Sequence, residues 1–168
     1  YELGHEREDY AKLERDQRGA PLGVVVDNAF DWGNDRWPNT PLHETVLYEA
    51  HVKGLTMLHP DVPEELRGTY AGLAHQSMLT YLKKLGITAV EVMPVAEFAG
   101  TFGWGYDGVD FYAPYHHYGS PDDMRRFVDR AHGLGLGVIL DVVYNHFGPD
   151  GCYHHAYSDH YLHESRPG

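Results

Sequence analysis

The chain has 168 residues, 42% of them hydrophobic, which is enough to build the core of one ordinary domain. Its formal net charge of −12 argues against nucleic acid as a partner, because nucleic-acid binders neutralise phosphates with clustered Lys and Arg. The same charge argues against an anionic membrane surface, and no apolar run approaches the ~18–20 residues of a membrane span.

Cys152 is the single cysteine, so an intrachain disulfide is excluded and a reducing cytoplasm is the expected home. Residues 1–18 are polar and charged throughout, unlike a secretory signal. The chain begins without Met and closes on Arg166-Pro167-Gly168, which reads as a fragment. Thirteen Tyr and three Trp offer flat apolar faces that stack on the C–H faces of sugar rings, and each Tyr adds a hydrogen-bonding tip. A neutral, hydroxyl-rich ligand needs no charge of either sign, so the acidity leaves a carbohydrate open. For any one of these aromatics, core packing remains the commoner use.

Residues 1–20 are charged and weakly periodic and read as the end of a preceding domain; Gly23-Val24-Val25-Val26-Asp27 reads as a short strand. Turn formers crowd residues 32–41 (WGNDRWPNTP), the expected linker. Beyond it the pattern is regular. Residues 45–52 (TVLYEAHV) predict a strand, and residues 54–72, with Pro60 and Pro63, a long loop. Within residues 75–85, Met78, Leu79, Leu82 and Leu85 recur at helical spacing, and Gly86 is placed to end that helix. Residues 88–92 (TAVEV) predict a second strand stopped by Pro94, and a second long loop is expected to run to Gly119. Ser120-Pro121-Asp122-Asp123 marks a helix start: a capping Ser, Pro in the first turn, then acids near the positive end of the dipole. Met124, Phe127, Val128, Ala131 and Leu134 give that helix its buried face, and Gly133 and Gly135 loosen its end. Residues 137–143 (GVILDVV) predict the third strand, a nearly unbroken apolar run expected of a strand covered on both faces.

Strand–helix–strand–helix–strand implies parallel crossovers. A doubly wound sheet and a (β/α)8 barrel both begin this way, and periodicity does not separate them. No Gly-rich phosphate turn follows any strand, which counts against a dinucleotide site. The loops after the strands are much longer than the helices require, and in barrels those loops build the active site.

Asp141-Val142-Val143-Tyr144-Asn145-His146 is the most informative segment. An apolar strand ends by presenting a carboxylate, an amide and an imidazole at its carboxyl end, the mouth of a parallel barrel. An Asp capping the next loop, followed by a surface His, accounts for the same residues equally well.

The hexapeptide resembles the first signature region of the α-amylase superfamily (glycoside hydrolase family 13), at the end of the third barrel strand. Trp104-Gly105-Tyr106-Asp107 is similar to that family's loop after the second strand. Residues 86–95 (GITAVEVMPV) resemble the second strand itself, and residues 47–52 (LYEAHV) the first. The four matches stand in the family's order. Residues 31–95 look most like bacterial glycogen-debranching enzymes and isoamylases, notably HVKGLT at 51–56 and ELRGTY at 65–70. Residues 100–151 look more like malto-oligosyltrehalose trehalohydrolases and branching enzymes, as in FYAP at 111–114 and NHFGPDG at 145–151. The resemblance implies an α/β chain carrying the N-terminal part of a (β/α)8 TIM barrel, about three parallel strands with intervening helices. Residues 1–42 would be the end of a preceding domain and a linker, and residues 43–168 the first part of the catalytic barrel.

It also implies roles. Tyr106 is expected to stack beneath the sugar at the cleaved bond, His146 to hydrogen-bond that sugar's hydroxymethyl oxygen, and Asp141 to brace an Arg later in the family's chain. Trp104 joins them as a substrate-binding residue, and Asn145 supports the site. The implied partner is an α-glucan: glycogen, starch-derived chains or malto-oligosaccharides. No cofactor is expected, and calcium is disfavoured because its ~6–8 oxygen ligands are not apparent.

Family chemistry is retaining cleavage by a nucleophilic carboxylate and a second carboxyl acting as acid, at the ends of the fourth and fifth strands. Only 24 residues follow Tyr144, whereas one strand–helix unit of a barrel takes about 30. The catalytic acids are therefore expected beyond Gly168, and the fragment alone is expected to be inactive. A non-catalytic glucan-binding module is the alternative. A metal-binding domain using His154, His155, His160 and His163 is a third reading, which the spacing of His160 and His163 does not favour.

Overall fold

Two helices of this chain end in the same way, and that repetition sets the fold. The structure is a computed structural model that describes residues 27–154 and 160; most of the expected strand at 23–27, and His155 and His163, lie outside the described residues. In order, the strands are β1 (Leu47–Ala50), β2 (Ala89–Val92), β3 (Ala96–Phe98), β4 (Gly108–Pro114) and β5 (Gly137–Leu140). The helices are α1 (Val52–Thr56), α2 (Tyr70–Leu73), α3 (Gln76–Lys84) and α4 (Pro121–Gly133).

Helix α4 starts as expected. The Ser120 hydroxyl accepts from the Asp123 N–H at 3.2 Å, and the Asp123 carboxylate accepts from the Ser120 N–H at 3.0 Å, a reciprocal box that satisfies two otherwise orphaned donors. It ends on Gly135, at φ +68°, with the Gly135 N–H bonded to the His132 carbonyl and the Leu136 N–H to that of Ala131. Helix α3 repeats this around Gly86, at φ +85°, with Gly86 bonded to Lys83 and Ile87 to Leu82. A left-handed residue closed by these two bonds reverses the chain cleanly. Gly135 therefore fixes the helix end rather than loosening it. In each case the chain enters a strand within three residues.

Those strands form one parallel sheet in the order β1–β2–β5, with Leu47 opposite Ala89 and Ala89 opposite Gly137. Helices α3 and α4 cover one face. Met78, Leu79 and Leu82 of α3 and Phe127 and Ala131 of α4 are buried with Val90 and Val92 of β2. Burying one such side chain stabilises by about 1.5–3 kcal/mol. Among the described residues the sheet is three parallel strands with their helices, and it does not close on itself.

Three expectations change. The stretch at 54–72 is not a plain loop: it holds the end of α1, a 3-10 turn (Glu64–Leu66) and α2. The His51 and Thr69 side chains cap α1 and α2 by accepting from Gly54 and Gly72. Helices of four or five residues are too short to leave a periodic signal. The segment before Gly119 contains the antiparallel pair β3–β4, whose register shifts on both sides of Glu97 and so hides the alternation of a strand. Strand β5 is not covered on both faces, since Ile139 is 45% and Leu140 43% exposed.

A candidate substrate site at the carboxyl ends of the strands

The Asp141 N–H still bonds to the Val92 carbonyl at 2.9 Å, so this carboxylate stands on the last rung of the sheet. Tyr106 arrives there from the β3–β4 connection. Gly105, at φ +89°, passes so close to β2 that an added Cβ would lie 1.8 Å from the Pro94 carbonyl oxygen. Only glycine fits, and the tight passage delivers Tyr106 to the end of β5.

The Tyr106 hydroxyl donates to Asp141 Oδ2 at 2.8 Å. That bond, with burial, the Asp141 charge and the charges of Glu49 and Glu91, pushes the phenol up to about 12. Glu49 and Glu91 are register partners in β1 and β2. His146 holds the same residue by its other end: its Nε2 lies 2.9 Å from the Tyr106 carbonyl. A carbonyl only accepts, so Nε2 is the donor in this contact, and in the tautomer with its proton on Nε2 the Nδ1 atom can accept. Tyr106, Asp141 and His146 are thus brought together at the end of β5. Trp104, on the same loop, is 74% exposed, and Asn145 is exposed.

Sequence reasoning missed the supports beneath these residues. His51, at the end of β1, accepts from the Gly54 N–H through Nδ1 at 3.1 Å, and its Nε2 meets the Gly103 carbonyl at 2.9 Å and the Tyr118 hydroxyl at 3.2 Å. Glu97, only 2% exposed, receives the His116 backbone N–H at 2.9 Å and lies 2.6 Å from His116 Nδ1, which ties β3 to the turn after β4. Around it, burial pushes the phenols of Tyr115 and Tyr118 up to about 12 and that of Tyr70 higher still. All three remain neutral. A carboxylate inside the apolar run VAEF was the available signal for Glu97. Phe111 stacks on Phe147 at 4.7 Å, and Tyr144, 71% exposed, packs its edge on Phe111.

A cavity of about 730 Å³ opens beside Asp141, bounded by Ala96, Phe111, Met124, Val128 and Tyr144 among others. Among the described residues no group of three or more His, Cys, Asp or Glu is placed to hold a metal ion. His154 is engaged by the Val109 carbonyl at 3.0 Å. No helix of the described residues is long and apolar enough to cross a membrane.

An aromatic ring, a carboxylate and an imidazole are gathered where the parallel strands end, the end at which open α/β sheets and (β/α)8 barrels alike place their sites. Residues 28–166 match the family model of the alpha amylase catalytic domain. The chain belongs to the α-amylase family, glycoside hydrolase family 13. It is 48% identical over 153 residues to the malto-oligosyltrehalose trehalohydrolase of Deinococcus radiodurans, covering 91% of this chain and 24% of that protein. It is 44% identical over 158 residues to the glycogen debranching enzyme of Salmonella paratyphi B, covering 85% of this chain and 23% of the relative. Among solved structures, an alpha-amylase candidate from Salmonella typhimurium superposes with a TM-score of 0.74 at 40% identity, over 95% of this chain and 26% of that one. The type I pullulanase of Bacillus subtilis complexed with maltose superposes with 0.66 at 29% identity, over 76% and 22%. The chain thus spans about a quarter of the length of these relatives, which are glycosidases of the family, and each likeness runs across both halves of the chain.

Proposed function

We propose that this chain supplies the first wall of the substrate site in a cytoplasmic α-glucan hydrolase, debranching or malto-oligosyltrehalose trehalohydrolase-like in its reaction. The observation that carries the reading is the double hold on Tyr106, by Asp141 at the hydroxyl and by His146 at the carbonyl. A ring clamped at both ends is a preorganised platform, and preorganisation is what lets a site favour a distorted sugar over a relaxed one. Tyr106 takes the face of the sugar at the scissile bond. His146 Nδ1 accepts from its hydroxymethyl group. Asp141 sets the height of the ring and braces the site's cation, Trp104 extends the contact, and Asn145 supports the turn.

Residues 43–168 then belong to the catalytic barrel, and residues 1–42 close and link a preceding domain. The relatives' names speak for glycogen and malto-oligosaccharides as the substrate class. Retaining cleavage requires two carboxyl groups about 5–5.5 Å apart across the bond, and in this reading both come from polypeptide outside these residues. The 168-residue chain is expected to bind maltohexaose weakly and to release no reducing sugar. Calorimetric titration with maltohexaose tests this. No binding by the wild type, or undiminished binding by Tyr106→Ala, sinks the reading.

A further inference from the structure

We propose that residues 28–36 are a strap, clasped to α4 by Asp35 and His132, which walls the cavity beside Asp141 and opens it on release. The strap stands whether or not Tyr106 carries a sugar. Turn formers here suggest a plain linker, yet the segment is folded on itself and fastened. Asp27 and Asp31 each accept, through Oδ1, from the N–H two residues on, at 2.9 and 2.8 Å, the local bond that suits Asp to turns. The Asp35 N–H bonds to the Trp32 carbonyl at 2.9 Å, and Phe30 meets Trp32 edge to face at 4.7 Å.

His132 closes the clasp. Its Nδ1 lies 2.9 and 3.1 Å from the two Asp35 carboxylate oxygens, and a carboxylate only accepts, so Nδ1 is the donor. The His132 side chain is 7% exposed and that of Asp35 20%, so salt and water screen the contact little. The His132 Nε2 is buried with no hydrogen-bond partner. The strap is thus the sole polar anchor of this ring among the described residues. Losing Asp35 would strand both nitrogens, a costly state for buried polar atoms.

The strap follows the helix. Asn34 and Arg36 border a small recess with Asp129 and His132 near the carboxyl end of α4. Asn28 and Trp32 line the large cavity with Met124 and Arg125 near its start, and Asp141 lines the same cavity. Trp32 is 39% exposed, whereas Trp37, just beyond the clasp, is 81% exposed. One backbone bond joins Asp35 to Trp32, so the anchor and the cavity wall move together.

The test is limited trypsin digestion and acrylamide quenching of the 168-residue chain carrying Trp37→Phe and Trp104→Phe, which leaves Trp32 as its one indole. Cleavage after the exposed Arg36 reads opening of the clasp, because proteolysis follows the open population. Asp35→Ala is expected to speed that cleavage about tenfold and to make Trp32 roughly twice as quenchable. Asp35→Asn, whose amide oxygen still accepts, should fall between wild type and Asp35→Ala on both readouts. Cleavage after Arg67, away from the strap, should keep its wild-type rate. If Arg36 and Arg67 open together, the change is general unfolding and the strap falls. If cleavage after Arg36 rises while quenching does not, Trp32 does not follow the clasp and the proposal falls. Unchanged cleavage and quenching in Asp35→Ala overturn it outright.

Discussion

Strands β2 and β5 lie side by side in one sheet, and the less apolar of the two is the better buried. AVEV of β2 keeps Val90 and Val92 at 1% exposure, whereas GVIL of β5 leaves Ile139 and Leu140 above 40%. The cause is the number of neighbours. β2 pairs on both sides, with β1 and β5, while the outer side of β5 has no strand against it among the described residues. Hydrophobicity reports what a strand is suited to. Its neighbours decide how much is realised.

The largest expected effect sets the interior against this edge. Phe127→Ala removes a 2%-exposed ring from the face of α4 that packs on the sheet and is expected to cost about 3–5 kcal/mol. Leu140→Ala is expected to cost only about 0.5 kcal/mol, as exposed positions do. Urea unfolding midpoints measure both. Equal losses would mean that β5 is covered in solution, and the contrast would disappear.

A second comparison lies within the site, between its fixed base and its open rim. Gly105→Ala forces a Cβ against the Pro94 carbonyl at a positive φ, where backbone strain alone costs about 1–3 kcal/mol. Because Gly105 places Tyr106, maltohexaose binding should be lost at temperatures where circular dichroism still reports a folded chain. Retained binding would show that the passage along β2 does not position the ring.

These contrasts explain what the sequence made legible. Ser120-Pro121 and the glycines at 86 and 135 announced both main helices, because caps are local chemistry. Asp141, His146 and Tyr106 were readable from their resemblance to known motifs, and the structure adds why they meet. Glu97 and His51 were not readable. Their partners, His116 and Gly103, are 19 and 52 positions away, and nothing in a pattern of neighbours reports such pairings. Strand β3 escaped for a related reason: three residues with a shifting register hold no period to detect.

The edges of the sheet supply a smaller effect on stability with a large effect on state. Unpaired strand edges pair with other chains, and Leu47, Ile139 and Leu140 are exposed along β1 and β5. The 168-residue chain is therefore expected to self-associate with rising concentration in sedimentation velocity. Leu47→Lys with Ile139→Lys should shift it toward monomer while moving the unfolding midpoint by an amount equivalent to about 0.5 kcal/mol per site. A wild-type monomer at every concentration would contradict the open-edge account.

The smallest effect concerns the proton on Tyr106. Its hydroxyl donates to Asp141, and that bond, ahead of burial and the nearby charges, pushes the phenol up from 10 to about 12. A raised value means that the protonated form is the one the fold favours. The contribution of the bond is therefore whole below pH 10 and is lost as pH rises through 12. Maltohexaose affinity, measured only where circular dichroism shows the chain folded, should hold to about pH 10 and then fall. Asp141→Asn removes the charge that retains the proton, so its decline should begin at lower pH. Tyr106→Phe has no proton to lose and should show no decline in this range beyond unfolding. Since the ring is half-exposed, the change in affinity is expected to be only a few-fold. Identical profiles for wild type and Tyr106→Phe would mean that the phenol–carboxylate bond does not hold the platform.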